Sequence, residues 1–142
     1  MKFLHFSDKF LDKVIDIENR SFPNPWTKEM FLSSSKSSST IFKVLILKKA
    51  VIGYYIISHV ADEMEILNIA VCNKFRNKSF GKAIFIDILK TAKIKKINFV
   101  FLEVRKSNTI ALKLYKPFGF DEIGVRKKYY KTEDALILKL YL

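Results

Sequence analysis

Apolar residues recur along this chain with two periods, and the switches between them mark out the elements. Residues 2–6 alternate enough for a first strand. Ser7 is a capping residue type and Asp8 suits a first helical turn. Phe10, Leu11, Val14, Ile15 and Ile17 then recur at helical spacing, so a helix is expected to about Ser21, with Pro23 and Pro25 ending it. Thr27 caps a short second helix over 28–32. Residues 41–47 and 51–60 are β-rich and are joined by Lys48, Lys49 and Ala50, the pattern of an antiparallel hairpin. Glu63–Val71 is a further strand. Phe80–Ile94 carries Ala83, Ile84, Ile86, Ile88, Leu89 and Ala92, a helix packed along one side. The run INFVFLEV over 97–104 is almost continuously apolar, which predicts a central strand covered on both faces. A helix over 108–116 is stopped by Pro117 and Gly119. Residues 120–125 and Ala135–Tyr141 read as two closing strands.

The order β α α β β β α β α β β predicts an α/β (α+β) chain, a mixed sheet with helices on its faces. The strand–helix–strand unit from 63 to 104 is expected to make its strands parallel through a right-handed crossover. Neither a repeat nor a linker divides the chain, so residues 1–142 are expected to form one domain. SSSKSSST over 33–40 is a solvated loop or a helix end.

Composition narrows the class. With 49% hydrophobic and 14% aromatic residues, a core can form without disulfides or metal. Cys72 is the one cysteine, so no internal disulfide is possible, which fits a reducing cytoplasm. The start, MKFLHFSDKFLDK, has charges where a signal peptide needs an apolar run. No run reaches the ~18 apolar residues of a membrane span. The formal net charge of +12 suits a polyanion such as RNA or a phosphate-bearing ligand. Most of that charge is Lys scattered among Ile, Phe and Asn, the pattern of a compositional bias rather than a binding patch.

Three constellations can carry chemistry. Arg76-Asn77-Lys78-Ser79-Phe80-Gly81-Lys82 lies between a strand and a helix, where open backbone N–H groups and the helix dipole favour a phosphate. It also reads as an ordinary basic turn, and it lacks P-loop spacing. Glu103 stands at the carboxyl end of the apolar strand and is followed by Arg105. A carboxylate there is either a general base or half of a salt bridge. Asn108 and Tyr115 share one helix face. Taken alone, Asn108 is a helix cap or a ligand residue, and Tyr115 is core or a proton donor. Cys72 reads as structural, and His5 and His59 lack metal-ligand spacing. No serine sits in a GxSxG elbow.

Several runs go together. LEVRKSNTIALKLYKPFGF spans 102–120; Phe22 and Pro25-Trp26-Thr27 lie upstream; Leu67-Asn68-Ile69-Ala70-Val71 ends a strand; Arg126 with Tyr129-Tyr130, then Glu133-Asp134-Ala135, come near the end. With Arg76–Gly81 standing for Q/R-x-x-G-x-G/A, these runs resemble the GNAT superfamily of N-acetyltransferases over essentially the whole chain. The 102–120 run and the E-D-A signature resemble its RimI-type branch. One departure is that the first signature glycine is Ser79 here.

The resemblance implies the GNAT fold, with a mixed central sheet of about seven strands flanked by about four helices. It implies acetyl-CoA as cosubstrate, in the splay between strands 63–71 and 98–104. Backbone groups of Ile69, Ala70 and Val71 would bond its acetyl and pantetheine part, one N–H stabilising the oxyanion. Asn77, Lys78, Ser79, Phe80, Gly81 and Lys82 would cradle the pyrophosphate, and Asn108 would bond the pantetheine region. Glu103 would be the proton acceptor and Tyr115 the proton donor, with no metal. The acceptor would be the N-terminal alanine of a ribosomal protein, drawn by Asp62, Glu63, Glu65 and Glu103. Residues 30–40 would lie near the peptide entrance and gate it. No specific DNA binding and no membrane association are implied. Two other readings remain: acetylation of a lysine side chain or small amine, and a catalytically weak ribosome- or RNA-binding module, for which only Ser79 speaks.

Overall fold

The computed structural model describes residues 1–129 and 133–142. Its elements run in the order β1 (Lys2–His5), α1 (Leu11–Ser21), α2 (Lys28–Lys36), β2 (Thr40–Leu47), β3 (Ala50–Val60), β4 (Glu63–Val71), α3 (Phe80–Ile94), β5 (Phe99–Arg105), α4 (Thr109–Tyr115), β6 (Asp121–Arg126) and β7 (Ala135–Tyr141). The seven strands form one mixed sheet in the order β1-β2-β3-β4-β5-β7-β6. The chain divides into two compact units, Met1–Ser58 with Leu67–Leu89, and His59–Ile66 with Lys90–Leu142.

In the first unit β1, β2 and β3 pair antiparallel. The β2–β3 turn is Lys48-Lys49, both with left-handed backbone (φ 49 and 68), the twist a two-residue hairpin needs. Strand alternation puts adjacent residues of β3 on opposite faces. Tyr54 therefore meets Glu18 of α1, while the Tyr55 hydroxyl donates to Asp87 of α3 at 2.6 Å. On the α1 side, Leu11, Val14 and Ile17 pack with Phe31, Phe42, Val44, Ile46, Val51, Tyr54 and Ile56. Each large apolar side chain buried there stabilises the fold by roughly 1.5–3 kcal/mol. On the other side α3 buries Ile84, Phe85 and Ile88.

In the second unit β4 runs parallel to β5, as a strand–helix–strand unit requires. β7 pairs antiparallel with both β5 and β6. Asp62 fixes the start of β5: its carbonyl accepts from the Asn98 N–H at 2.7 Å, and its carboxylate from the Asn98 side chain at 2.9 Å.

Three expectations need correction. Ser7 has the extended backbone of a cap, but its side chain makes no capping bond. The chain enters α1 through a 3-10 turn at Asp8–Phe10. α2 runs on to Lys36, taking in half of the serine-rich stretch. Ser35 contributes by bonding back to the Leu32 carbonyl at 2.7 Å. β5 is central but not covered equally on both faces. Val100, Leu102 and Val104 are buried, whereas Phe99, Phe101 and Glu103 are only half-buried. The Lys139 ammonium rests over the Phe99, Phe101 and Tyr141 rings, at 4.4, 5.2 and 4.5 Å from their centroids. A lysine stem and its cation–π contacts thus lie over those rings.

Candidate active site

The first unit holds the expected cofactor residues apart from Asn108. At the end of β4, Ala70 is buried and Ile69 and Val71 are half-buried. β3 approaches this stretch closely at Gly53. A Cβ there would stand 2.8 Å from the Ala70 carbonyl oxygen, so only glycine fits without moving that backbone. After Cys72, a 3-10 turn (Asn73–Phe75) leads into the loop before α3. Asn77 and Ser79 both adopt left-handed backbone there, with φ 59 and 67. Ser79 therefore holds the conformation a glycine takes without strain. Its carbonyl accepts from the Ala83 N–H at 3.0 Å, closing the first turn of α3. The N–H groups of Phe80, Gly81 and Lys82 then point out of the end of a fifteen-residue helix, where an anion is favoured.

Arg76 is held by its neighbours in the fold. Its guanidinium donates to the Val71 carbonyl at 3.1 Å and to the Ser21 hydroxyl at 3.0 Å. It braces the loop against β4 and α1, and it takes up the Val71 carbonyl, leaving the charges toward a phosphate to exposed Lys78 and Lys82. Lys78 stands 6.0 Å from the Phe75 ring centroid, and the Phe75 and Phe80 rings meet edge-on.

A residue that sequence reasoning passed over lies beneath this stretch. Glu18 is 1% exposed. Its carboxylate accepts from the Tyr54 hydroxyl, from the Asn68 side chain at 2.8 Å and from the Trp26 backbone N–H at 2.9 Å. Burial, then the Glu18 charge, push the Tyr54 phenol far above its usual range, so Tyr54 is the donor. The network ties α1 to the Pro25-Trp26-Thr27 segment and to the residue preceding Ile69. The signal was present: Glu18 falls four residues after Val14, on the apolar stripe of its helix.

The second unit holds the expected proton-transfer residues. Glu103 is half-buried, and its carboxylate accepts from the Arg126 guanidinium at 2.6 Å, so the salt bridge that the sequence offered is formed. Arg126 also lies over the Tyr129 ring, 5.1 Å from its centroid. Tyr130, which the sequence paired with Tyr129, lies outside the described residues. Glu65 pairs with Phe101 in register and so shares the Glu103 face. Partial burial, then the Glu103 charge, raise its pKa against the opposing Arg126.

The Glu133-Asp134 pair anchors the segment after β5. Glu133 accepts from Arg105 and from the Ser107 N–H, both at 3.2 Å, while Asp134 accepts from the Lys128 N–H at 2.8 Å. The Ser107 bonds and then Arg105 hold Glu133 below the usual carboxylate range. Asn108 is a cap: its side-chain oxygen accepts from the Ala111 N–H at 3.1 Å, leaving its amide hydrogens for another acceptor. Tyr115 ends α4, is 5% exposed and packs against Phe120. Burial pushes its phenol upward, so it keeps its proton through neutral pH.

Cys72 is half-buried against the core of the first unit. Among the described residues, no three His, Cys, Asp or Glu side chains are grouped to hold a metal ion, and no helix is long and apolar enough to cross a membrane.

Comparison with known proteins places this geometry in a family. The model of the acetyltransferase (GNAT) family matches residues 11–120. A Bacillus subtilis (strain 168) relative, provisionally named a ribosomal protein bS18-alanine N-acetyltransferase, is 38% identical over 131 residues, covering 90% of this chain and 87% of its own. The Haemophilus ducreyi ribosomal protein bS18-alanine N-acetyltransferase is 32% identical over 140 residues, covering 92% of this chain and 93% of its own. The crystal structure of the Escherichia coli ribosomal-protein-S18-alanine N-acetyltransferase superposes with a TM-score of 0.91 at 27% identity, covering 99% of this chain and 92% of that one. A family match over most of the chain and a shared seven-stranded fold agree: the chain belongs to the GNAT family of acetyltransferases.

Proposed function

We propose that this acetyltransferase moves the acetyl group of acetyl-CoA onto the N-terminal alanine amine of a ribosomal protein, by direct attack in a ternary complex. The observation that carries this reading is that relatives matching nine-tenths of the chain bear that activity in their names. The same reading treats residues 1–142 as one catalytic domain, supported by a family match that runs through residues of both compact units. It places the enzyme in the cytoplasm with its ribosomal substrate.

The described residues fit a bound acetyl-CoA. N–H groups at the start of α3, with Lys78 and Lys82, suit its pyrophosphate. The backbone of Ile69, Ala70 and Val71, apart from the Val71 carbonyl that Arg76 occupies, suits its pantetheine arm. By its resemblance to the family, Asn108 is read as a further ligand of the cosubstrate. Acetyl-CoA supplies an acetyl group activated as a thioester. An α-amino group has a pKa near ~8, so most of it is protonated at neutral pH. Glu103 takes that proton, directly or through a water. The amine nitrogen bonds the carbonyl carbon, the C–S bond breaks, and the Tyr115 hydroxyl, as proton donor, hydrogen-bonds the departing thiolate, which leaves as the CoA thiol.

Tyr115 keeps its proton at neutral pH, as a donor must. A thiol near pKa ~8.5 is nevertheless more acidic than a buried phenol, so full transfer is uphill. The gain is then that of a hydrogen bond to a charged group, roughly 1.5–3 kcal/mol. Tyr115→Phe should therefore slow turnover about 10- to 100-fold while keeping the fold, since the ring still packs on Phe120. Full activity with an unchanged melting temperature would make Tyr115 a core residue and leave the proton to solvent.

Ser79→Gly tests the departure from the family pattern. Left-handed backbone costs serine roughly 1 kcal/mol, and Ser79 carries that cost in the fold itself. What remains on binding is steric relief against the loss of one hydroxyl bond, about 0.5–1.5 kcal/mol. Acetyl-CoA should bind tighter by less than ~10-fold, with the maximal rate unchanged. Binding weakened tenfold or more, by calorimetric titration, would make the hydroxyl a required ligand.

In cells, mass spectrometry of ribosomal proteins with and without this gene tests the substrate. An N-terminal alanine that loses its acetyl group only when the gene is absent is expected. An unchanged ribosomal protein set would contradict the reading.

A further inference from the structure

The face of the sheet around Glu103 carries four carboxylates and three cations. β4 contributes Glu63 and Glu65, β5 contributes Glu103 and Arg105, β7 contributes Lys139, and β6 contributes Arg126 and, opposite Lys139, Asp121. Two of the three cations are committed elsewhere. Arg105 is bonded to Glu133, and Lys139 is seated on three aromatic rings. The third, Arg126, sits on Glu103 at 2.6 Å. Glu65, opposite Phe101 and so one diagonal step from Glu103, has no ion pair among the described residues. One guanidinium therefore faces two neighbouring carboxylates.

This arrangement bears on what the site can accept. A neutral amine needs no surplus charge to approach, whereas an α-amino group arrives mostly as an ammonium. Were Glu103 and Arg126 alone there, the pair would be neutral and the guanidinium would oppose a second cation. An extra carboxylate reverses that balance. It offers the ammonium a partner, and it offers Arg126 a second acceptor when Glu103 turns to the substrate. We propose that Glu65 is the charge-selecting residue of the acceptor site, supplying the negative charge that admits the acceptor as an ammonium while Arg126 neutralises Glu103. This inference rests on the reading of Glu103 as the base. It adds that the preference for a cationic amine comes from Glu65, and that Arg126 is an internal stand-in for the substrate's charge.

Steady-state kinetics on a peptide beginning with alanine test it. Glu65→Gln should raise KM for the peptide about 3- to 10-fold, with kcat and acetyl-CoA affinity nearly unchanged, and should weaken the salt dependence of kcat/KM. Glu65→Asp, which keeps the charge, should restore most of the loss. A merely structural role for Glu65 would not give a loss confined to peptide KM that the charge-keeping Glu65→Asp repairs. Unchanged peptide KM in Glu65→Gln, or a Glu65→Asp no better than Glu65→Gln, would overturn the inference while Glu103→Gln stays impaired. Full turnover in Glu103→Gln would instead overturn the base assignment, and this inference with it.

Discussion

Replacing Glu103 with glutamine should lower turnover at pH 7 by at least ~10²-fold, close to 2.7 kcal/mol of lost transition-state stabilisation. The substitution is nearly isosteric, and the amide oxygen can still accept from Arg126, so β5 and its neighbours should keep their places. What is lost is a group that can take the amine's proton. At pH 7 roughly a tenth of an α-amine with pKa near ~8 is free, and without a base the enzyme must wait for that fraction. The defect should shrink as pH rises above ~8, because the substrate then deprotonates itself. Acetyl-CoA affinity should hardly change. Unchanged turnover at pH 7, measured by release of free CoA thiol, would remove Glu103 from the mechanism and leave its salt bridge as its whole role.

The second large effect is on stability. Glu18→Ala should destabilise the fold by roughly 3 kcal/mol or more, a large share of a typical 5–15 kcal/mol. Three donors converge on this carboxylate, and truncation leaves the buried Tyr54 hydroxyl and Asn68 amide, and the half-buried Trp26 N–H, without it. Each orphaned polar group costs about 1–3 kcal/mol. Glu18→Gln should cost less, since its oxygen can still serve Tyr54 and Asn68 while its NH2 faces the Trp26 N–H, donor against donor. Asn68 directly precedes Ile69, so the residual folded protein should also bind acetyl-CoA more weakly. Urea denaturation gives the stability. A Glu18→Ala midpoint within error of the unsubstituted protein would mean that water replaces the carboxylate at no cost.

Much of this was legible in the residues. Hairpin 41–60 shows in its two β-rich runs, and the α3 helix shows in its apolar stripe, because period depends only on local geometry. The family runs are what single out Glu103, Asn108 and Tyr115 as candidates. Long-range choices were not legible. The charge of Arg76 is visible in sequence, but its partners, Ser21 and Val71, are set by how α1 meets the loop. Lys139 looked like one more scattered lysine, and only the strand register puts it over three rings. Glu65 stood among four acidic residues with nothing to single it out until β4 paired with β5.

The central claim is that the acceptor is a peptide's terminal amine and the donor is acetyl-CoA. Purified protein should be incubated with acetyl-CoA and two peptides of the same basic sequence, one beginning with a free alanine and the other blocked at its N-terminus but containing lysine. Mass spectrometry then reads the position of any added acetyl group. A single acetyl on the alanine nitrogen of the first peptide, and none on the second, is the predicted result. Acetylated lysine on both peptides with a free alanine, or no transfer to either, would contradict it.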